Sequence, residues 1–394
     1  MSKKITSLLA LFLIISACGV RQTRSLLTTG DYDAAIHKAT EELQGNKNAK
    51  GKQDYIYMLE EAFTKAKERD ISNITIWSKD SNPQNSEKIY TTYVQLNNRQ
   101  EQVRPLLPLK LLKENRDANF TFEDYSNQLA KSKESYCKYL YDNSKALLAT
   151  NDKMNYRRAY DDLMQLESLI SNYKDSDKLK EEAFSKGIDY VLVTTKNETD
   201  KVIPKRLQDD LLDFSTYGLN DKWTVYHSNR QKGLKYDYGI SLNFSSINLS
   251  PEQEKEKQFD KEKIVKDGYR NNVDSGNIIK DGQGNPVKVD NMITVKISIK
   301  EISQYKNCQI VAKVDFNDYN ADQLIKTTNL SSEFVFNNVY ATFKGDKRAC
   351  DTKYYSNFEQ KALPFPSNEQ MIYDAGKDLK NKLKDFIVSN RFRK

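Results

Sequence analysis

The chain has 394 residues, 38% of them hydrophobic and 30% charged, which is enough for two or three domains with packed cores. The formal net charge is +7, and acidic and basic residues alternate along the chain instead of forming a single-sign block. A nucleic-acid-binding protein concentrates Lys and Arg on one face, so the composition argues against a nucleic-acid partner.

A short apolar run opens the chain, from Ile5 to Ile15, directly after Lys3 and Lys4. This run is shorter than the ~20 residues that a membrane-spanning helix needs. A charged start, a short apolar stretch and then small residues are typical of a signal peptide. The sequence therefore predicts a removed signal peptide over residues 1–17.

The end of this run, Ile15-Ser16-Ala17-Cys18, resembles the lipobox of bacterial lipoproteins. The resemblance implies cleavage before Cys18, its acylation with palmitate-type chains, and a tether over residues 18–29. In that family an Asp after the cysteine favours the inner membrane and an acidic cluster signals surface display, and Gly19-Val20-Arg21 contains neither. The resemblance thus implies a lipid anchor in the outer membrane, facing the periplasm. The alternative is an ordinary signal peptide with a chance cysteine.

Helical periodicity runs from Gly30 to Gly187. Apolar residues recur three and four positions apart, for example at Tyr32, Ala35, Ala39 and Leu43. Further helices of the same kind follow, and Gly187 is a typical helix stop. We therefore expect an all-helical domain over residues 30–187.

Two segments of this helical region resemble the second helix of tetratricopeptide repeats. They are Asp31-Tyr32-Asp33-Ala34-Ala35 and Asn155-Tyr156-Arg157-Arg158-Ala159, each with an aromatic residue three positions before an alanine. The resemblance implies tetratricopeptide-like helical hairpins, although the full 34-residue pattern is absent. An irregular helical bundle is the alternative. Either arrangement leaves a groove or a flat face for a partner.

After Gly187 the periodicity changes to two, which predicts strands. Ile188 to Val193 is typical of a buried strand, and alternation at Ile293–Ile299 and Ile310–Phe316 predicts a long antiparallel hairpin that turns at residues 304–307. A capped amphipathic helix from Ser367 closes the chain. We expect an α+β domain over residues 188–394, with an antiparallel-rich sheet covered by the C-terminal helix.

Behind the lipobox, this second half distantly resembles the periplasmic α/β domain of the curli-export lipoprotein family. The resemblance lies in Tyr190–Val193, the hairpin from Ile293 to Phe316 and the helix from Ser367. It implies an α/β module that works in an envelope assembly. Gly282 and Gly284 belong to a predicted hairpin tip and not to a phosphate-binding loop, because no helix follows them.

Few residues have the spacing of a reactive site. Cys308 and Cys350 lie in the strand-rich half and could form a disulfide in an oxidising periplasm, or they could be isolated buried thiols like Cys137. His37 and His227 have no Cys, Asp or Glu at metal-binding spacing. The sequence therefore predicts no catalytic residues, no metal site and no cofactor.

These features favour a non-enzymatic scaffold in envelope assembly or transport, with a protein partner on the helical domain. The alternative is a glycan- or peptidoglycan-binding lipoprotein. That alternative predicts a cleft lined by Tyr or Trp side chains outside the cores, and it makes Trp77 and Trp223 natural fluorescent probes. A hydrolase is a third reading, and it requires a pocket where His227 or paired carboxylates converge.

Overall fold

The computed structural model describes residues 19–219, 221–390 and 392. The signal peptide predicted over residues 1–17 and the acylation site predicted at Cys18 lie outside the described residues. Contacts divide the chain into two compact units, the first ending at Gly187 and the second beginning at Ile188. The predicted change from helical to strand periodicity falls at this same position.

The first unit is helical, as expected. Residues 19–29 form helix α1, and a short hairpin of strands β1 (Lys110–Leu111) and β2 (Arg116–Asp117) interrupts the helices after α4. The remaining helices are α2 (Tyr32–Asn46), α3 (Gln53–Lys79), α4 (Asn85–Val103), α5 (Ser126–Leu148), α6 (Lys153–Leu169) and α7 (Ser176–Gly187). From α2 to α7, each helix packs mainly against its neighbours in the sequence.

Small residues allow α2 and α3 to approach closely. Ala35 and Ala39 of α2 and Ala62 and Ala66 of α3 are completely buried in one core. Asp31 caps α2, because its carboxylate accepts a hydrogen bond from the Ala34 amide at 3.2 Å. A second core, built by α5, α6 and α7, surrounds Leu163.

Residues 19–29, the described part of the tether predicted over residues 18–29, differ from the expectation. Residues 19–29 are helical, and Thr23 and Leu27 are buried. Val20 and Leu27 both pack into the core that α2 and α3 share. Val20, Thr23 and Leu27 are spaced at helical intervals, which forms one buried stripe. The segment therefore belongs to the helical unit.

The second unit is a mixed sheet with a C-terminal helix, as expected. Within the described part, the sheet has six strands. Five follow the order β10-β9-β5-β3-β4, and the sixth, β6, also pairs with β9. β3 is parallel to β4 and to β5, and the other pairs are antiparallel. The strands are β3 (Asp189–Asn197), β4 (Thr224–His227), β5 (Tyr238–Leu249), β6 (Gln253–Asn271), β9 (Lys288–Asp318) and β10 (Gln323–Gly345), with a small hairpin of β7 (Val273–Asp274) and β8 (Asn277–Ile278) between β6 and β9.

Helices α8 (Lys205–Leu212) and α10 (Asn368–Ser389) cover one face of this sheet, and a short helix α9 (Tyr355–Glu359) precedes α10. The predicted cap at Ser367 is confirmed, because its hydroxyl accepts a hydrogen bond from the Gln370 backbone amide at 3.1 Å. The Gln370 side chain donates to Asp374 instead of completing a capping box. Leu379 and Leu383 of α10 are completely buried against the sheet.

The hairpin predicted between Ile293 and Phe316 is wrong, because β9 is one continuous strand of 31 residues. Residues 304–307 contain the polar side chains that suggested a turn. In the structure the Gln304 amide exchanges two 3.1 Å hydrogen bonds with the Leu363 backbone, and the Lys306 ammonium donates to the Pro366 carbonyl at 2.8 Å. Partners from a distant segment satisfy these polar groups inside the sheet, so the strand continues.

The buried positions of β9 change sheet face along its length. Val295, Ile297 and Ile299 are buried at odd positions, whereas burial from Ile302 to Phe316 falls on even positions. The pairing with β10 has no shift between these two stretches, so the two sets of side chains point to opposite faces. The odd set packs against residues 349–358, and α10 covers the part of the even set nearest Phe316.

Candidate functional site

A cleft opens in the helical unit between the end of α3, the start of α4 and α5. Its volume is about 480 Å³, and the side chains of Trp77, Ile89 and Tyr93 line it together with serines and amides. This volume lies in the range of small-molecule sites. We call it the Trp77 cleft.

Hydrogen bonds fix the turn that forms one wall of the Trp77 cleft. The Asn82 side-chain carbonyl accepts from the Gln84 amide at 3.0 Å, and the Asn85 amide group donates to the Asp80 carboxylate at 3.0 Å. Helix α4 begins at Asn85, and Asn82 caps the turn before it. The wall is therefore preformed.

The two aromatic rings of the Trp77 cleft have different roles. Tyr93 packs on a small core, with its ring centroid 6.0 Å from that of Tyr125. Trp77 is half-buried and belongs to none of the cores of the described residues. The Lys88 ammonium lies 5.8 Å from the indole centroid, and Lys88 does not line the cleft. The indole thus lies near one cation and also lines the cleft.

Most polar groups in the Trp77 cleft are neutral. Two charged residues line it, Asp80 and Lys131, and Asp80 is already engaged by Asn85. The neutral polar lining residues are Ser78, Ser81, Asn82, Asn85, Ser86, Gln128, Ser132 and Ser135. Such a surface combines ring stacking with hydrogen bonds and offers little charge recognition.

The second unit offers a different kind of site, the outer edge of β10, which ends the sheet. Asn307 of β9 exchanges hydrogen bonds with Ser250, on the side of β5 and β6. In an antiparallel sheet successive residues direct their N–H and C=O groups to alternate sides. Even-numbered β9 residues therefore bond to β10, and their partners include Phe334, which pairs with Cys308. It follows that odd-numbered residues of β10, such as Val335, direct their N–H and C=O groups away from β9, to the open edge.

The two long edges of the sheet differ sharply in charge. In the part of β10 from Thr327 to Asn337, Glu333 is the single charged residue. In β6, by contrast, eleven of the 19 residues are charged. Charged residues are a common protection of edge strands against pairing. We call residues 327–337 the β10 edge, and the Lys382 ammonium reaches one carbonyl there, that of Ser331.

Of the two alternatives for Cys308 and Cys350, the structure has the isolated buried thiols and not the disulfide. Cys308 pairs with Phe334, whereas Cys350 packs near Ile297. Cys308 and Ile297 are separated along β9 by roughly 36 Å at ~3.3 Å per residue, far beyond the ~7 Å Cα limit of a disulfide. Burial raises the pKa of the Cys308 thiol to about 11 and also raises that of Cys350.

The two histidines lie apart from each other in separate units. His37 is exposed, with its Nε2 atom 3.4 Å from Glu41, and the His227 Nδ1 atom is 2.9 Å from the Tyr236 hydroxyl. Across residues 19–219, 221–390 and 392, no three His, Cys, Asp or Glu residues are placed to hold a metal ion.

A buried ionic cluster stabilises the helical unit near its centre. The Arg99 side chain is 6% exposed and bonds to Asp33 at 2.5 Å and to the buried Asp70, which Arg69 also contacts at 2.8 Å. Burial by itself would raise the pKa of Asp33, but the hydrogen bonds and charges of Arg99 and Arg69 lower it overall. Among the described residues the Arg99 Nη1 atom has no hydrogen-bond partner, and Arg99 lines a void of about 10 Å³, enough for one water molecule.

None of the helices in the described part is both long and apolar enough to cross a membrane. A scan against protein-family models gave no match, and a search of curated proteins found no similar sequence.

Proposed function

We propose that this protein is a non-enzymatic outer-membrane lipoprotein, anchored through Cys18 and facing the periplasm, that acts as a scaffold in envelope assembly or transport. Its protein partner adds an extended segment to the β10 edge. The observation that carries the proposal is an open strand edge with a single charge, in a sheet whose other long edge is densely charged.

Strand addition is a recurring mode of peptide recognition, in which main-chain hydrogen bonds provide the affinity. Each odd residue of the β10 edge can exchange two hydrogen bonds with an antiparallel strand, about ten in total when Ser331 is left out. The side chains at odd positions, such as Val335, are exposed, so a partner strand can pack its own side chains beside them.

The helical unit supports a scaffold in a second way. Its helices pack in sequence order, and Gly30 adopts a left-handed φ of +82° directly before the Asp31 cap. Hairpins of this kind are tetratricopeptide-like, and repeats of that architecture commonly bind proteins. Together the two units offer separate surfaces for an envelope assembly.

The test uses proline at an outward-facing N–H of the β10 edge. Val335→Pro removes an N–H that makes no bond within the sheet, so the fold is retained while strand addition is blocked. The control is Gln258→Pro on β6. Odd-numbered β9 residues bond toward β6, so odd-numbered β6 residues such as Lys255, which pairs with Ser303, direct their N–H groups inward. The N–H of the even-numbered Gln258 therefore points outward.

A photo-crosslinking amino acid at Glu333 in the full lipidated protein reports the contact in cells. We expect a discrete crosslinked protein that disappears with Val335→Pro and persists with Gln258→Pro. A crosslink that survives Val335→Pro, or no crosslink at all, contradicts the proposal. Mass spectrometry of the mature N-terminus tests the anchor separately, since Cys18 must carry the acyl chains.

A further inference from the structure

We infer that the Trp77 cleft is a binding site for a neutral glycan segment that carries acetamido groups. This activity goes beyond the scaffold proposed above, because it uses a site in the other unit and a ligand of a different class. Four features of the cleft support it: an indole on the lining, polar side chains without intramolecular bonds, a preformed wall, and a lining whose charged groups are Lys131 and the engaged Asp80.

The indole of Trp77 is the first feature. A large aromatic ring outside the cores loses burial that a core position would give, so its place at a cleft surface requires another use. The flat C–H face of a sugar ring is a suitable partner for such a ring, because aromatic faces carry negative charge density and C–H groups are weakly positive. The Lys88 ammonium lies 5.8 Å from the centre of this ring, and Lys88 is not among the residues that line the cleft.

The second feature is a set of polar side chains without intramolecular bonds. Ser81, Gln128 and Ser135 line the cleft, and their side chains make no hydrogen bond within the described part of the chain. Hydroxyl and amide groups both donate and accept, as do sugar hydroxyls and acetamido groups. These groups converge with the indole around one cavity of about 480 Å³, and small-molecule sites commonly have this composition.

The third feature is the wall formed by the turn before α4. Asp80, Asn82 and Asn85 are bonded to one another or to the turn backbone, so the cleft needs no rearrangement to accept a ligand. A preformed site loses less conformational entropy on binding.

Charge decides against two other ligand classes. Asp80 is engaged in the turn, and Lys131 is the single cation on the lining. An anionic ligand such as a phosphate group is usually held by several cationic or backbone N–H donors, and a cationic ligand would need a free carboxylate. A neutral polyhydroxylated ligand fits the groups that are present.

The experiment uses the full chain, with N-acetylglucosamine tetramer as the probe and a glucose tetramer as the matched sugar without acetamido groups. The chain has two tryptophans, so Trp223→Phe leaves Trp77 as the sole indole. We expect a saturable change in Trp77 emission with the acetamido sugar, and binding at least tenfold weaker with the glucose tetramer.

Calorimetric titration then tests the residues without relying on fluorescence. We expect Trp77→Ala and Gln128→Ala each to weaken binding about tenfold or more, while Trp77→Phe, which keeps a ring, has a smaller effect. The control Trp223→Phe should bind like the unaltered protein. Circular dichroism checks that each variant is folded. If Trp77→Ala does not fold, Trp77→Phe and Gln128→Ala still decide the test.

Unchanged Trp77 emission up to millimolar sugar overturns the inference, as does equal affinity of the unaltered protein and the Gln128→Ala variant. Tighter binding of an uncharged peptide than of either sugar also overturns it. None of these outcomes bears on the crosslink at Glu333, so failure of this inference and failure of the scaffold are distinguishable.

Discussion

Replacing Arg99 should destabilise the helical unit strongly. Its side chain is 6% exposed, and its removal leaves the Asp70 carboxylate, which is 4% exposed, with Arg69 as its remaining cationic partner at 2.8 Å. Breaking a buried ion pair by removing one partner typically costs about 3–5 kcal/mol. Because Arg69 stays in contact, we expect Arg99→Met to lower the free energy of unfolding by about 3 kcal/mol.

The matched control is a second arginine of the same region. Arg104 pairs with Glu101 at 3.3 Å, and both side chains are more than half exposed. An exposed pair of this kind contributes less than about 1 kcal/mol. Arg104→Met should therefore leave the stability of the helical unit almost unchanged.

Urea unfolding of the full chain measures the difference. In a Trp223→Phe background, Trp77 fluorescence follows the helical unit alone, and an unchanged dependence on urea confirms that the same surface is exposed. Adding Asp70→Leu to Arg99→Met removes the buried carboxylate that has lost one of its two cationic partners. The double variant should therefore regain part of the lost free energy of unfolding. If Arg99→Met is no less stable than Arg104→Met, or if the double variant regains nothing, the electrostatic explanation is refuted.

Three further predictions concern single groups. Burial, with neighbouring negative charges, raises the pKa of Asp162 despite one hydrogen bond from an asparagine. Its ionisation therefore disfavours the folded state as pH rises above the ordinary pKa of 3.8. Asp162→Asn should stabilise the helical unit at pH 7 and lose this advantage below pH 4, as urea titrations at both pH values would show. Gly345 has a φ of +108°, and a Cβ there would collide with the β9 backbone, whereas Gly282 faces open space; Gly345→Ala should cost more than about 1 kcal/mol in thermal unfolding and Gly282→Ala almost nothing. Cys308 and Cys350 should stay free in air-oxidised protein and react with a thiol reagent after denaturation but hardly before, and an intact mass two hydrogens lower would contradict this.

Local periodicity predicted much of the architecture. The helical first part, the mixed sheet and the C-terminal helix are confirmed, and the helix from Ser367 has its expected cap and buried stripe. These features depend on residues three or four positions apart, or two apart in strands, so a single sequence contains the information. The residues that line the Trp77 cleft could not be grouped in this way, because α3, α4 and α5 contribute them from separate stretches.

The sequence by itself determined the helical character of residues 30–187, the strand-rich character of the second half, the helix from Ser367 and the position where one pattern replaces the other. The tertiary structure alone decided that β9 continues through Gln304 and Lys306, that its buried side chains change face, and that Cys308 lies far from Cys350. The physical reason is the same in each case. A polar or thiol side chain is satisfied by whatever folds against it, and the partners here, such as Leu363 and Pro366, lie some sixty residues away.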